Sequence, residues 1–253
     1  MQLFSLADRV ALITGASRGL GLAMAKGMAA AGAHVVLNAR NPEALDACVS
    51  EIAAAGGSAE AIAFDVTDEP AAVAAVKQIV ADRGRLDILV NNAGMVHRVP
   101  TLESDTAGWQ KMVDTNLTSL YVLAREAARP MVENGWGRII NIGSVMSLVA
   151  RPGIISYVAT KHAVNGMTKA LAVELGGTGV TINAIGPGYF ATELNQALVD
   201  DPVFTQLVEE RTPVGRWGKP DELVGAAVFL ASDAAAYVNG HLMMVDGGMT
   251  VNM

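Results

Sequence analysis

Thr14-Gly15-Ala16-Ser17-Arg18-Gly19-Leu20-Gly21 joins a short apolar run to an alanine-rich helical pattern, and this junction decides the fold. Glycines let a backbone turn tightly between strand and helix and approach a phosphate closely, while the N–H groups at the helix start meet its charge. A glycine triplet alone is weak evidence, because a strand-to-helix turn can carry glycines for packing only. Its place at the first such junction makes a pyrophosphate site at Gly15, Ser17, Arg18, Gly19, Leu20 and Gly21 the better reading.

Working outward, strand-like runs fall at 9–15, 34–39, 59–66, 87–94, 137–144, 181–188 and 241–248. Helical patterns lie between them, at about 18–31, 42–55, 68–83, 106–133, 156–176 and 220–232. Most of the strand runs are near-continuous apolar stretches, as expected when helices cover both faces of a parallel sheet. The alternation implies right-handed crossovers and one Rossmann-type α/β domain over 1–253, a doubly wound sheet of seven parallel strands. One stretch breaks the rhythm. Residues 189–219 carry Asp201-Pro202, Thr212-Pro213 and Gly218-Lys219-Pro220, punctuation suited to a loop holding short helices. A connection this long in a compact domain is usually functional, and a lid over a site is expected.

Composition narrows the partners. Hydrophobic residues make up 51% of the 253 and charged residues 17%, enough to bury a core without disulfides or metal. A net charge of −7 with no run of Lys or Arg argues against nucleic acid. Cys48 is the single cysteine and has no second thiol to pair with, which points to a reducing compartment, the cytoplasm. No apolar stretch is long enough to span a membrane, and the opening MQLFSLADRVALITG has no basic segment of the signal-peptide kind. His34, His97, His162 and His241 show no metal-ligand spacing, so no metal is expected.

The end of the second strand chooses between dinucleotides. Selection of NAD usually rests on an Asp or Glu that accepts from the adenosine ribose hydroxyls. Here the run His34-Val35-Val36-Leu37-Asn38-Ala39-Arg40 ends on neutral Asn38, with Arg40 and Arg18 in reach of a 2′-phosphate. Two guanidinium groups without a carboxylate favour a phosphate dianion, and NADP(H) is the expected cofactor. The bland alternative makes Arg40 a solvated cation at a helix start.

Tyr157 and Lys161 stand four apart on a helical pattern and so share a face. Ser144 closes the fifth strand, at the carboxyl edge where ligands of such sheets bind. A phenol with a pKa of about 10 is a poor acid-base catalyst at neutral pH. A nearby ammonium favours the phenolate, so Lys161 is expected to lower the pKa of Tyr157, and Ser144 can orient a substrate oxygen. Taken singly, each residue has a plain structural explanation: a packed tyrosine, a surface lysine, a turn serine.

Ser144 with Tyr157-Val158-Ala159-Thr160-Lys161, Thr-Gly-x-x-x-Gly-x-Gly at 14–21, Asp65-Val66, Asn91-Asn92-Ala93-Gly94, Asn116, Pro187-Gly188 and Thr192 together resemble the short-chain dehydrogenase/reductase family over essentially the whole chain. The resemblance implies a carbonyl–alcohol oxidoreductase with Tyr157 as proton donor and acceptor. It also implies that Asp65 and Val66 contact the adenine and that Asn92, Ala93 and Gly94 pass beneath the adenosine ribose. Tyr157 and Lys161 would bind the nicotinamide ribose, and Pro187, Gly188, Phe190 and Thr192 the carboxamide. Asn116 would kink its helix and hold a water linking Lys161 to solvent. A homotetramer is implied, with the helices at 106–133 and 156–176 at one interface.

Within the family, the chain is most similar to the gluconate 5-dehydrogenases, also described as 5-ketogluconate reductases. The parallels include Leu3-Phe4-Ser5-Leu6, Ala150-Arg151-Pro152-Gly153-Ile154, Gly188-Tyr189-Phe190-Ala191-Thr192-Glu193 and Gly215-Arg216-Trp217-Gly218. One departure bears on substrate. Those enzymes commonly carry Gln and Glu where this chain has Met146 and Leu148. Sugar hydroxyls are costly to bury unpaired, so these two side chains, if they line the pocket, suit a more apolar ketone and a carbonyl reductase. If they point into the core or an interface, specificity is untouched. Arg98 can pair with a substrate carboxylate or remain solvated. Trp217 is the tryptophan best placed to touch substrate from the lid. Two further classes are an epimerase or dehydratase, which usually needs a longer C-terminal substrate domain, and a catalytically silent NADP(H)-binding sensor, which can lose the tyrosine or lysine retained here.

Overall fold

The computed structural model describes residues 2–252. Seven parallel strands form one sheet in the order β3-β2-β1-β4-β5-β6-β7. In chain order they are β1 (Val10–Thr14), β2 (His34–Ala39), β3 (Ser58–Ala63), β4 (Ile88–Asn91), β5 (Gly137–Ile142), β6 (Val180–Pro187) and β7 (Leu242–Val245). The main helices are α1 (Gly19–Ala30), α2 (Pro42–Ala54), α3 (Glu69–Arg83), α4 (Thr106–Val113), α5 (Ser119–Glu133), α6 (Ile155–Glu174), α7 (Gln196–Val199), α8 (Pro202–Arg211) and α9 (Val224–Ala231). The doubly wound parallel sheet expected from the strand rhythm is present.

Alternation along each strand sorts the apolar side chains into two layers. Ala11, Ile13, Val35, Leu37, Ile88 and Val90 meet Met24 and Met28 of α1, Leu45 and Ile52 of α2, and Ala227 and Leu230 of α9. On the opposite face Val10, Leu12, Val36, Leu89 and Ile139 meet Val76 and Ile79 of α3, and Leu123, Ala127 and Met131 of α5. Central strands β1, β4, β5 and β6 are buried along their whole length. The order in which strands are added reverses between β1 and β4, which opens a crevice at their carboxyl ends.

Several elements depart from the expected ranges; β4 and β7, expected at 87–94 and 241–248, each end three residues early. β3 stops at Ala63 rather than 66 and mixes exposed with half-buried residues, because it is the outer strand with a neighbour on one side only. The single helix expected at 106–133 is interrupted by a π-helical turn at Asp114–Thr118, where the Ser119 N–H donates to Asp114 C=O. The last long helix opens as a 3-10 turn at Pro220–Leu223 before α9 begins. The 189–219 stretch holds α7 and α8, as its punctuation suggested.

Candidate active site

The glycine turn sits at the mouth of the β1/β4 crevice and is held by cross-strand hydrogen bonds. Asn92 Nδ2 donates to Thr14 C=O at 2.8 Å and Gly15 C=O at 3.1 Å. Thr14 Oγ1 accepts from Asn92 N–H at 3.0 Å and Ala93 N–H at 2.9 Å, and donates to Val90 C=O at 3.3 Å. The Asn92–Gly94 segment is thereby stapled to the turn. Gly15 has φ +62°, and a Cβ there would meet Ala93 Cα and Asn92 Nδ2, both at 3.0 Å. A Cβ on Gly21 would come within 2.3 Å of Gly15 O, so the turn closes on itself only with glycine. Helix α1 has no acidic residue in its first turn, and Arg18 stands at its N-cap without a side-chain capping bond. Backbone amides, the positive end of a twelve-residue helix and an uncommitted guanidinium therefore face one cradle. This is a fit for a dinucleotide pyrophosphate.

Beside it, Arg40 is 81% exposed and touches only Asp65, at 4.0 Å, so it is free to engage a 2′-phosphate. Asn38 is buried and its amide donates to Ile62 C=O at 3.2 Å and Phe64 C=O at 3.1 Å; its side chain ties β2 to β3. Asp65 Oδ1 accepts from the Thr67 N–H and hydroxyl, which holds its carboxyl below the usual range. Val66 is buried in the second apolar layer.

Tyr157 and Lys161 lie on α6, and Ser144 precedes the 3-10 turn after β5. Tyr157 lies beside Ser144, whose hydroxyl opposes the rise of the phenol's pKa and whose Oγ accepts from Met146 N–H at 3.1 Å. Lys161 Nζ lies 5.5 Å from the Tyr157 ring centroid and donates to Ile142 C=O at 2.6 Å. The three side chains converge at the carboxyl edge of the sheet. Their electrostatics differ from the expectation. Burial pushes the Tyr157 phenol above its ordinary pKa, opposed by the Ser144 hydroxyl and then by the positive charge of Arg98. Burial alone lowers the Lys161 ammonium to about 8. Lys161 Nζ is turned toward the Ile142 carbonyl, and the positive charge that opposes the phenol's rise is that of Arg98.

Asn116 is buried inside the π turn, with Oδ1 accepting from Met95 N–H at 2.9 Å and Nδ2 donating to Met95 C=O at 2.8 Å and Met112 Sδ at 3.0 Å. It clamps the loop after β4, and its turn packs on α6. Pro187 pairs with Val245, and a Cβ on Gly188 would meet Asp246 Cα at 2.7 Å. The Phe190 side chain belongs to the apolar core, while Thr192 lies at the glycine turn near Gly19. Met146 is buried with Val145 and Ile154 against Tyr157, whereas Leu148 is 51% exposed. Trp217 stacks edge-on to Tyr189 at 5.6 Å and donates to Thr205 Oγ1 at 3.2 Å, so it braces the insert from within. Residues not singled out from sequence include Thr14, Arg151 and Tyr189. The placement of Thr14 at the strand end was the available signal for the first; the other two meet only through folding.

Fold and site together define a dinucleotide-dependent oxidoreductase acting on a CH–OH group. The family model for enoyl-(acyl carrier protein) reductase matches residues 15–250. The chain is 50% identical to a gluconate 5-dehydrogenase of Gluconobacter oxydans (strain 621H) over 251 residues, 99% of this chain and 98% of that one. It is 43% identical to a 5-keto-D-gluconate 5-reductase of Escherichia coli (strain K12) over 249 residues, 98% of each. The crystal structure of a gluconate 5-dehydrogenase from Burkholderia cenocepacia J2315 in complex with NADP and tartrate superimposes with a TM-score of 0.97 at 44% identity, covering 100% of this chain and 99% of that one. The chain belongs to the short-chain dehydrogenase/reductase family.

Proposed function

We propose that this chain reduces 5-ketogluconate, or a keto acid of that type, to the secondary alcohol with NADPH, and catalyses the reverse oxidation with NADP. The observation that carries the reading is the juxtaposition of Tyr157, Ser144 and buried Lys161 at the sheet edge that also holds the glycine cradle. The relatives named for gluconate and 5-ketogluconate chemistry support the substrate class, and the relative holding NADP supports the cofactor.

In this reading the pyrophosphate is held by Gly15, Ser17, Arg18, Gly19, Leu20 and Gly21, and the 2′-phosphate by Arg40 and Arg18. Asn38, Asp65, Val66, Asn92, Ala93 and Gly94 line the adenosine half, and Pro187, Gly188, Phe190 and Thr192 the nicotinamide end. When bound, the reduced nicotinamide supplies the hydride. Ser144 orients the substrate oxygen by hydrogen bonding. Tyr157 gives that oxygen its proton, and its raised pKa keeps the phenol protonated at neutral pH, the state that reduction needs. Oxidation needs the phenolate, so its rate rises with pH where that of reduction does not. Arg98, which already senses the Tyr157 phenol, is placed to meet the substrate carboxylate. Asn116 positions the loop bearing Arg98 through Met95. Residues 189–219 act as the lid, with Trp217 as a brace.

A homotetramer built on α5 and α6 fits the apolar residues these helices expose, among them Tyr121, Val132 and Val173. A reducing, cytoplasmic setting fits the single buried Cys48. Among the described residues no helix is long and apolar enough to cross a membrane.

The test is absorbance at 340 nm across 5-ketogluconate, 2,3-butanedione, a β-ketoester and an aryl ketone, with NADPH and with NADH. The expected result is the highest kcat/KM for 5-ketogluconate with NADPH. Preference for the aryl ketone would replace the substrate class, and preference for NADH would remove the phosphate role of Arg40.

A further inference from the structure

Two arginines lie near one another on the Tyr157 side of the sheet edge. Arg98 lies in the loop after β4 and Arg151 in the loop after Ser144, and the loops are tied by Val99 N–H donating to Gly153 C=O at 2.9 Å. Gathering like charges has a cost, which shows in Arg98: burial and then the neighbouring Arg151 guanidinium hold its pKa below the ordinary arginine value. Most arginines of this acidic chain stand in ion pairs, yet among the described residues neither Arg98 nor Arg151 has a carboxylate within salt-bridge distance. Arg98 is exposed and Arg151 half-buried, and two neighbouring guanidinium groups without a carboxylate between them form a positive patch that favours an anion arriving from outside.

Arg151 is also held in place. Its Nη1 donates to the Tyr189 hydroxyl at 3.1 Å, and its Cζ lies 5.0 Å from the Phe204 ring centroid. Tyr189 and Phe204 meet edge-to-face at 5.4 Å, and Trp217 closes the aromatic set. Phe204 comes from α8 and Tyr189 from the start of the same insert, so the guanidinium is braced by the segment that covers the pocket. A guanidinium presents five N–H donors in one plane, and one of them is engaged by Tyr189. The others remain for a planar, bidentate acceptor such as a carboxylate. Arg98 makes only a long contact of 3.5 Å to Asn195 Oδ1 of the insert and is similarly available.

We propose that Arg151, braced by Tyr189 and Phe204, is a specificity-determining residue that joins Arg98 in a two-cation clamp for the substrate carboxylate. The proposal rests on the keto-acid reading above and adds a residue that reading does not use. The clamp bridges two loops and the insert, so engaging an acid draws the three segments together. A neutral ketone lacks the group that does this and is bound less well.

The experiment compares wild type, Arg151→Met and Arg151→Lys with 5-ketogluconate and with neutral 2,3-butanedione, alongside the inhibition constant of tartrate, a small dicarboxylate probe. Met keeps the stem that packs on Phe204 and removes the charge. NADPH affinity by fluorescence, unchanged in both variants, shows that the fold and cradle persist. Arg151→Met is expected to raise KM for 5-ketogluconate about 10- to 100-fold with kcat within about 3-fold, the range for losing a charge-assisted hydrogen bond. It should weaken tartrate by a similar factor and leave the diketone unchanged; the Lys variant should recover part of the loss. Wild type that turns over 5-ketogluconate with no change in its KM or in tartrate inhibition on Arg151→Met overturns the clamp while the keto-acid reading stands. Wild type that reduces only the neutral ketone overturns both.

Discussion

Lys161 shows how one side chain can work against the fold that carries it. It is 5% exposed, and burial lowers its ammonium to about 8 from an ordinary value of 10.5. Between pH 8 and 10.5 the unfolded chain binds the lysine proton more tightly than the folded one, so stability rises with pH across that window. Below pH 8 both states are protonated and the full cost of burying the charge is present, on the order of 3 kcal/mol from the size of the shift. Losing the hydrogen bond to Ile142 C=O takes back about 1 kcal/mol of what a neutral replacement gains. Lys161→Met is therefore expected to stabilise the cofactor-free protein by about 1–3 kcal/mol at pH 7, with the gain fading toward pH 10.5. Urea unfolding at several pH values measures it. A destabilised variant at pH 7 would mean that Lys161 is held by more than the Ile142 carbonyl. A lysine that weakens the fold and is nonetheless placed within 5.5 Å of the Tyr157 ring belongs to function.

At the scale of elements, the decisive contact is between the end of β4 and the turn after β1. Asn92 donates twice to that turn, and Thr14 receives two amides in return. Asn92→Ala removes both side-chain donors and leaves the Thr14 and Gly15 carbonyls short of a partner, at a cost of about 1–3 kcal/mol. The glycine turn should loosen, so NADPH affinity should fall about 10-fold or more while Tyr157 and Ser144 keep their contact. Fluorescence titration of NADPH reads this directly, and unchanged affinity would show that the turn holds its shape unaided. This contact also marks how far sequence carries. The order of strands and helices was legible from periodicity, because α/β layers impose it on apolar residues. The glycine turn and the Tyr157–Lys161 spacing were legible because each lies within one element. The Thr14–Asn92 staple and the meeting of Arg98 with Arg151 were not, since each joins residues far apart in the chain through sheet order and loop closure. The π turn at Asp114–Thr118 left no mark on periodicity, because an added residue in a helical turn leaves the apolar pattern on both sides nearly intact; the family resemblance alone placed a kink there, at Asn116. Lys161 shared its predicted face with Tyr157, but its hydrogen bond to a strand carbonyl is a matter of rotamer, which spacing does not carry.

Across the whole molecule, topology brings the parts of the site together. Placing β1 beside β4 opens the crevice for a dinucleotide, and placing β5 next in order sets Ser144 at the same edge. Helix α6 returns across the second face and brings Tyr157 and Lys161 to that edge, while the insert that follows β6 starts from the same carboxyl edge. No single element holds more than part of the chemistry. The account depends on the assembled site transferring a proton through the Tyr157 hydroxyl. The direct measurement is NADPH oxidation with 5-ketogluconate at 340 nm for wild type and Tyr157→Phe, with NADPH binding measured on both. A fall in kcat of about 10²- to 10⁴-fold with binding unchanged is the predicted result, the loss typical of removing a general acid. A Tyr157→Phe enzyme that binds NADPH and turns over at the wild-type rate would contradict it.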